Sequence, residues 1–177
     1  MAVSRREVRV KIMQVLYAYE MTHEPIEKVK ADILTNLTEK ESKDFADEMI
    51  KFILENDEML GEMIKGKVEH WEIERMAFID RIILRIGITE LLHFPEIPPK
   101  VTINEAIDIA KEFCTLNSGR FVNGVLDAVH EELKKDGKLN KTGRGLLTLK
   151  KKDTRENVKQ KKESPSKPKK DNPSDKK

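Results

Sequence analysis

Along most of the chain apolar residues return every three or four positions, and the repeat breaks at prolines, glycines and short polar clusters. That is the period of a helix with one buried face. Val8, Ile12, Val15, Leu16 and Tyr19 form the first such stripe and predict a helix from Arg5 to about Met21. Ser4-Arg5-Arg6-Glu7 has capping-box spacing, with the serine accepting from the N3 amide and the glutamate reaching back to the cap. Pro25 suits the first turn of a second helix carrying Ile26, Val29, Ile33, Leu34 and Leu37. Thr38-Glu39-Lys40-Glu41 reads as another capping box, opening a third helix with Phe45, Met49, Phe52 and Ile53 inward. The run continues through Met59, Leu60, Met63, Ile64 and Val68, with Asn56 or Asp57 as the cap of a separate fourth helix.

From about Arg75 to His93 the chain is apolar on most of a helical circumference, which marks the central buried helix, and Pro95, Pro98 and Pro99 stop it. Thr102-Ile103-Asn104-Glu105 repeats the capping-box spacing ahead of an inward stripe of Ile103, Ala106, Ile107, Ala110, Phe113 and Cys114. Asn117-Ser118-Gly119 caps a last helix with Val122, Val125, Leu126, Val129 and Leu133 at core spacing, and Gly137 ends it. The expected class is therefore all-α, with about seven helices. From Lys138 the composition turns to Lys, Ser, Pro, Asn and Asp, which predicts a disordered tail over 138–177, apart from a short docking segment at Leu146, Leu147 and Leu149.

Composition narrows the setting. With 37% charged and 5% aromatic residues the chain suits exposed helices better than a sheet. Cys114 is the one cysteine, so no internal disulfide forms, and no apolar run approaches the roughly 20 residues that span a bilayer. A cytoplasmic protein is expected. The net charge of +2 hides an imbalance: residues 150–177 hold 12 Lys/Arg against 5 Asp/Glu, leaving 22 against 27 in the remainder. An anion site in this mildly acidic body must be a local cluster, and the sharpest is Arg5, Arg6 and Arg9.

Catalytic patterns are few. The four histidines are scattered, and His130-Glu131-Glu132-Leu133-Lys134 lacks the second histidine of a zinc helix, so no metal is expected. KTGRGL lies in the tail rather than at a strand-to-helix turn, and Cys114 falls on a predicted core face, as a structural thiol would. The arginines are different. At N1 and N2, Arg5 and Arg6 oppose the helix dipole, at a cost of about 0.3–1 kcal/mol each. At 100° per residue Arg6, Arg9, Met13 and Tyr17 make a strip beside the buried face, with Arg5 at its boundary. Guanidinium forks suit phosphates and a tyrosine ring can stack on an unpaired base. On residue types alone, a solubilising amino terminus and an RNA-binding edge both stay open. Phe121 lies at the edge of its core stripe and Arg120 on the outer face.

RREVRVKIMQVLY, VTINEAIDIAKEF and SGRFVNGVLDAV, in that order, resemble the bacterial NusB family of transcription antitermination proteins. The resemblance implies an amino-terminal three-helix bundle, about 4–70, packed on a carboxy-terminal four-helix bundle, about 71–137, together forming a helical domain over 1–137. It implies binding of boxA RNA together with NusE, a small-subunit ribosomal protein, within the RNA polymerase antitermination complex during ribosomal RNA synthesis. The family's RNA-facing residues map onto Arg5, Arg6, Arg9, Gln14 and Tyr17 and onto Phe113, Asn117, Ser118 and Phe121, and its NusE-facing surface onto the neighbourhood of Asp80 and Arg85. Asn117 stands where an aspartate can occur. No cofactor and no catalytic activity are implied. A protein-interaction adaptor with secondary RNA contact and a ribosome-assembly factor are the alternatives. RNA cytosine methyltransferases carry a similar helical domain, but 177 residues leave no room for their Rossmann-type domain.

Overall fold

The computed structural model describes residues 3–68, 76–115 and 117–147. Among these residues the chain forms seven α-helices, one 3₁₀ turn and no strand: α1 Arg5–Thr22, α2 Ile26–Ile33, α3 Lys40–Glu55, α4 Asp57–Lys65, α5 Phe78–His93, α6 Pro99–Phe113, α7 Ser118–Lys135 and the turn Gly143–Leu146. Helix α5 is the hub, packing against α1, α3, α4, α6 and α7. Its Ile82, Ile83, Leu84, Ile88 and Leu91 are almost wholly enclosed, as expected of a helix apolar nearly all round. Gly87 lets α7 close on it: a Cβ there would lie 2.9 Å from both δ-carbons of Leu126.

The helix ends obey local chemistry only in part. Ser4 and Glu7 form the complete capping box, with Glu7 N donating to Ser4 Oγ at 3.2 Å and Ser4 N to Glu7 Oε2 at 2.7 Å. Gly137 adopts φ 66°, while Lys138 N reaches Leu133 O at 2.9 Å and Gly137 N reaches Lys134 O at 3.3 Å, the paired bonds of a Schellman end. Two other expected boxes do not form. Glu39, not Thr38, is the N-cap of α3, without a side-chain cap bond. Helix α6 begins at Pro99 behind the Pro98 cap, so Thr102 lies inside it and donates to Glu90 Oε1 at 2.6 Å. A proline at N1 starts a helix without needing a cap side chain, and that displaced the boundary.

Residues 138–147, which composition assigned to a disordered tail, have a defined place in the fold. Residues 138–147 lie as a strap across the carboxyl end of α5, where Lys141 Nζ donates to Glu90 O at 3.0 Å and Phe94 O at 2.9 Å, and Thr142 N to Pro95 O at 2.9 Å. Of the leucines expected to dock, Leu146 and Leu147 are exposed and Leu149 lies outside the described residues. The strap is held by Leu139, which packs against the core, by Lys141, whose ammonium adds a second donor to each of two backbone carbonyls, and by Gly145, which is buried against the Pro95 carbonyl.

Candidate nucleic-acid interface

The start of α1 meets α6, and all three arginines find carboxylates there or nearby. Arg5 Nη2 pairs with Glu41 Oε1 of α3, and its guanidinium lies over the Phe45 ring, 4.5 Å from the centroid. Arg6 spans α6, with Nη1 3.3 Å from Asp108 Oδ2 and Nη2 3.3 Å from Glu112 Oε2. Burial alone would lower the Arg6 pKa, but Glu112, Glu105 and Asp108 more than offset it and raise it. These partners relieve the dipole mismatch at N1 and N2.

Arg9 departs from the expected strip. It is 5% exposed and donates Nε to Glu90 Oε2 at 2.7 Å and Nη2 to Glu90 Oε1 at 2.9 Å, with Glu105 Oε2 3.9 Å from Nη1. Met13, one turn on, is buried as well. Helices α3, α5 and α6 cover a wider arc of α1 than its apolar residues define, so Arg9 is a buried structural cation rather than a surface one. Glu90 was the missed residue. A carboxylate within the apolar run 86–92 must find a cation when that run is buried, and that signal was present in the sequence.

The second region is the α6–α7 turn. Phe113 ends α6 and is 36% exposed, not inward as its stripe suggested, because the helix stops there and the core is already closed by Ala110. Asn117 is exposed, and Phe121 is half-buried against the core. Ser118 is not on the surface. It is 3% exposed and donates Oγ to Asp80 Oδ2 at 2.9 Å while accepting from Thr115 N at 3.2 Å, so Ser118 and Asp80 together tie the turn to the first turn of α5. Cys114 is half-buried beside them rather than in the core. Burial and then the Asp80 carboxylate push its thiol up to about 12. At pH 8 its thiolate fraction should be about a thousandfold below that of an ordinary cysteine. Iodoacetamide should therefore label native protein very slowly at pH 8 and urea-unfolded protein at the usual rate, with Asp80→Asn speeding the native reaction. Comparable rates in folded and unfolded protein would refute this.

The residues expected to face a protein partner are withdrawn from solvent. Asp80 is 5% exposed, and the mostly buried Arg85 pairs with Asp57 at 2.9 Å. Their exposed neighbours form a surface instead. Tyr17, 42% exposed, tilts on Phe78 with centroids 5.7 Å apart, and the Arg81 guanidinium covers the same Phe78 ring at 5.2 Å. Tyr17 is thus turned towards α5, about 16 Å along the helix from Arg6, while Gln14 between them is exposed.

The fold therefore brings Arg6 of α1 to Glu112, next to Phe113 and the α6–α7 turn, although these segments lie 106 residues apart. The sequence model of the NusB family matches residues 6–131. The chain is 44% identical over 151 residues to a transcription antitermination protein NusB from Chloroherpeton thalassium, covering 84% of this chain and 72% of the relative. Among solved structures it is similar to NusB of T. maritima, at 38% identity and a TM-score of 0.69 over 75% of this chain and 94% of that one. A NusB in complex with NusE and double-stranded RNA shares the fold, at 24% identity and a TM-score of 0.64 over 72% of this chain and 96% of that one.

Proposed function

The chain belongs to the NusB family, and from that membership we propose that it binds boxA-type RNA jointly with a NusE-type ribosomal protein to promote antitermination during ribosomal RNA transcription. The observation that carries the RNA part is the junction of α1 with the end of α6. Arg6 is 39% exposed, and Arg5 stands beside it, 41% exposed. Arg6 reaches Glu112, the neighbour of Phe113 at the turn that also presents Asn117, so a cation for phosphate lies near an aromatic ring for an unpaired base. Arg9, buried on Glu90, supports α1 rather than touching RNA. Ser118 likewise holds the turn's shape. The partner surface in this reading is Tyr17, Phe78 and Arg81, with Asp80 acting from beneath.

Binding should weaken as salt rises. The test is titration of a boxA-like oligonucleotide and a scrambled one, each with and without NusE. Arg6→Ala should lower affinity for the boxA-like RNA about tenfold with no more than a small change in melting temperature. Unchanged affinity in Arg6→Ala would refute the assignment of this surface. Strengthening of RNA binding by NusE is expected for the joint complex, and its absence would reject that part.

A further inference from the structure

Arg6 is not a free cation waiting for phosphate. Each terminal nitrogen of its guanidinium already faces a carboxylate, Asp108 Oδ2 on one side and Glu112 Oε2 on the other, both at 3.3 Å. Glu105, Asp108 and Glu112 are spaced three and four residues apart and so share one face of α6, the face turned to α1. With Glu41 and Glu90 they set five carboxylates against Arg5, Arg6, Arg9 and Lys111, so the paired groups at this end sum to −1. A surface offered to RNA for its positive charge is thus neutralised from within.

We infer that Asp108 and Glu112 form an autoinhibitory clamp, holding the Arg6 donors in place of phosphate oxygens and lowering the affinity of the protein for RNA. The inference rests on the reading that Arg6 contacts RNA. Its physical basis is an exchange. For phosphate to take the Arg6 fork, both ion pairs must open, and Asp108 and Glu112 then stand unpaired. They draw cations from solution, which cancels part of the counterion release that drives RNA binding. The clamp is exposed enough to open, since Arg6, Asp108 and Glu112 are 39%, 48% and 55% exposed. Contacts made elsewhere, to bases at the α6–α7 turn or through a protein partner, must therefore supply the binding that the arginine alone does not.

The test removes the carboxylate charge while keeping side-chain shape, in the full-length protein. Glu112→Gln is the cleaner variant, because Asp108 also holds Lys111 at 3.8 Å. Exposed pairs of this kind correspond to about two- to fivefold each. Glu112→Gln should tighten binding of both boxA-like and scrambled RNA by that factor, Asp108→Asn with Glu112→Gln by more, and the salt slope should steepen by about one. Glu58→Gln on α4 makes the same change in net charge far from α6 and should alter affinity less than twofold. Adding Arg6→Ala to the double variant should erase the gain. If the double variant binds RNA no more tightly than wild type, or if Glu58→Gln gains as much as Glu112→Gln, the clamp is refuted while Arg6→Ala still weakens binding. If Arg6→Ala itself leaves RNA binding unchanged, the RNA reading of Arg6 fails, and the clamp with it.

Discussion

Arg9→Ala should destabilise the protein by about 3–5 kcal/mol in urea unfolding, whereas Arg6→Ala should stay within about 1 kcal/mol. The two residues lie one turn apart on α1 and carry the same charge, but their surroundings differ. Removing Arg9 leaves Glu90 as a buried carboxylate, 1% exposed, with the Thr102 hydroxyl as the one side-chain donor left to it among the described residues. Desolvation of an unpaired charge is the dominant cost. Glu90→Ala should also destabilise but by less, because Glu105 Oε2, 3.9 Å from Nη1, still faces the buried guanidinium, whose Cζ lies 5.8 Å from the Phe45 ring centroid. Arg9→Leu combined with Glu90→Leu should recover most of the loss, since an apolar pair replaces a desolvated one. An Arg9→Ala variant as stable as Arg6→Ala would show that the buried pair does not hold α1 to α5. Any loss of RNA binding in Arg9→Ala should accordingly track loss of fold.

Gly145→Ala is the second large effect. A Cβ on Gly145 would overlap the Pro95 carbonyl oxygen, which is backbone and has nowhere to move. The strap must detach, and the bonds of Lys141 to Glu90 O and Phe94 O and of Thr142 to Pro95 O go with it. We expect a loss of roughly 1–3 kcal/mol and fast amide exchange over residues 138–147. Truncation after Gly137 removes the same contacts and should cost a similar amount. Burial lowers the Lys141 pKa, although Glu90 and Glu96 act against that. Retained exchange protection in Gly145→Ala would show that the strap tolerates a side chain there.

Much of this was legible beforehand. Val8, Ile12, Val15 and Leu16 of α1 and Val122, Val125, Leu126, Val129 and Leu133 of α7 are buried as their spacing required. Period and burial are linked locally, because a helix carries its own face with it. The Ser4 box and the Gly137 end formed for the same reason, since both partners lie within a few residues. Arg9 was misread because periodicity gives the centre of a buried face and not its width. The burial of Asp80 and Ser118 was not legible, because a polar residue facing water and one bonded to a buried partner 38 residues away look alike in the sequence. The strap was missed because lysines and glycines signal disorder by composition, yet one leucine, Leu139, packed on the core and one lysine bonded to two backbone carbonyls are enough to dock it.

By itself the sequence determined the helices, their apolar faces and two of their ends, all set by interactions within one or two turns. Its motifs also determined the family. The tertiary structure alone decided which carboxylates met the arginines, across 36, 81, 102 and 106 residues of chain. The sign of a charge is written in its residue, but its desolvation and its partner depend on how whole helices pack. That is why three arginines of one helical turn and a half became a surface pair with α3, a clamped cation on α6 and a buried pin on α5.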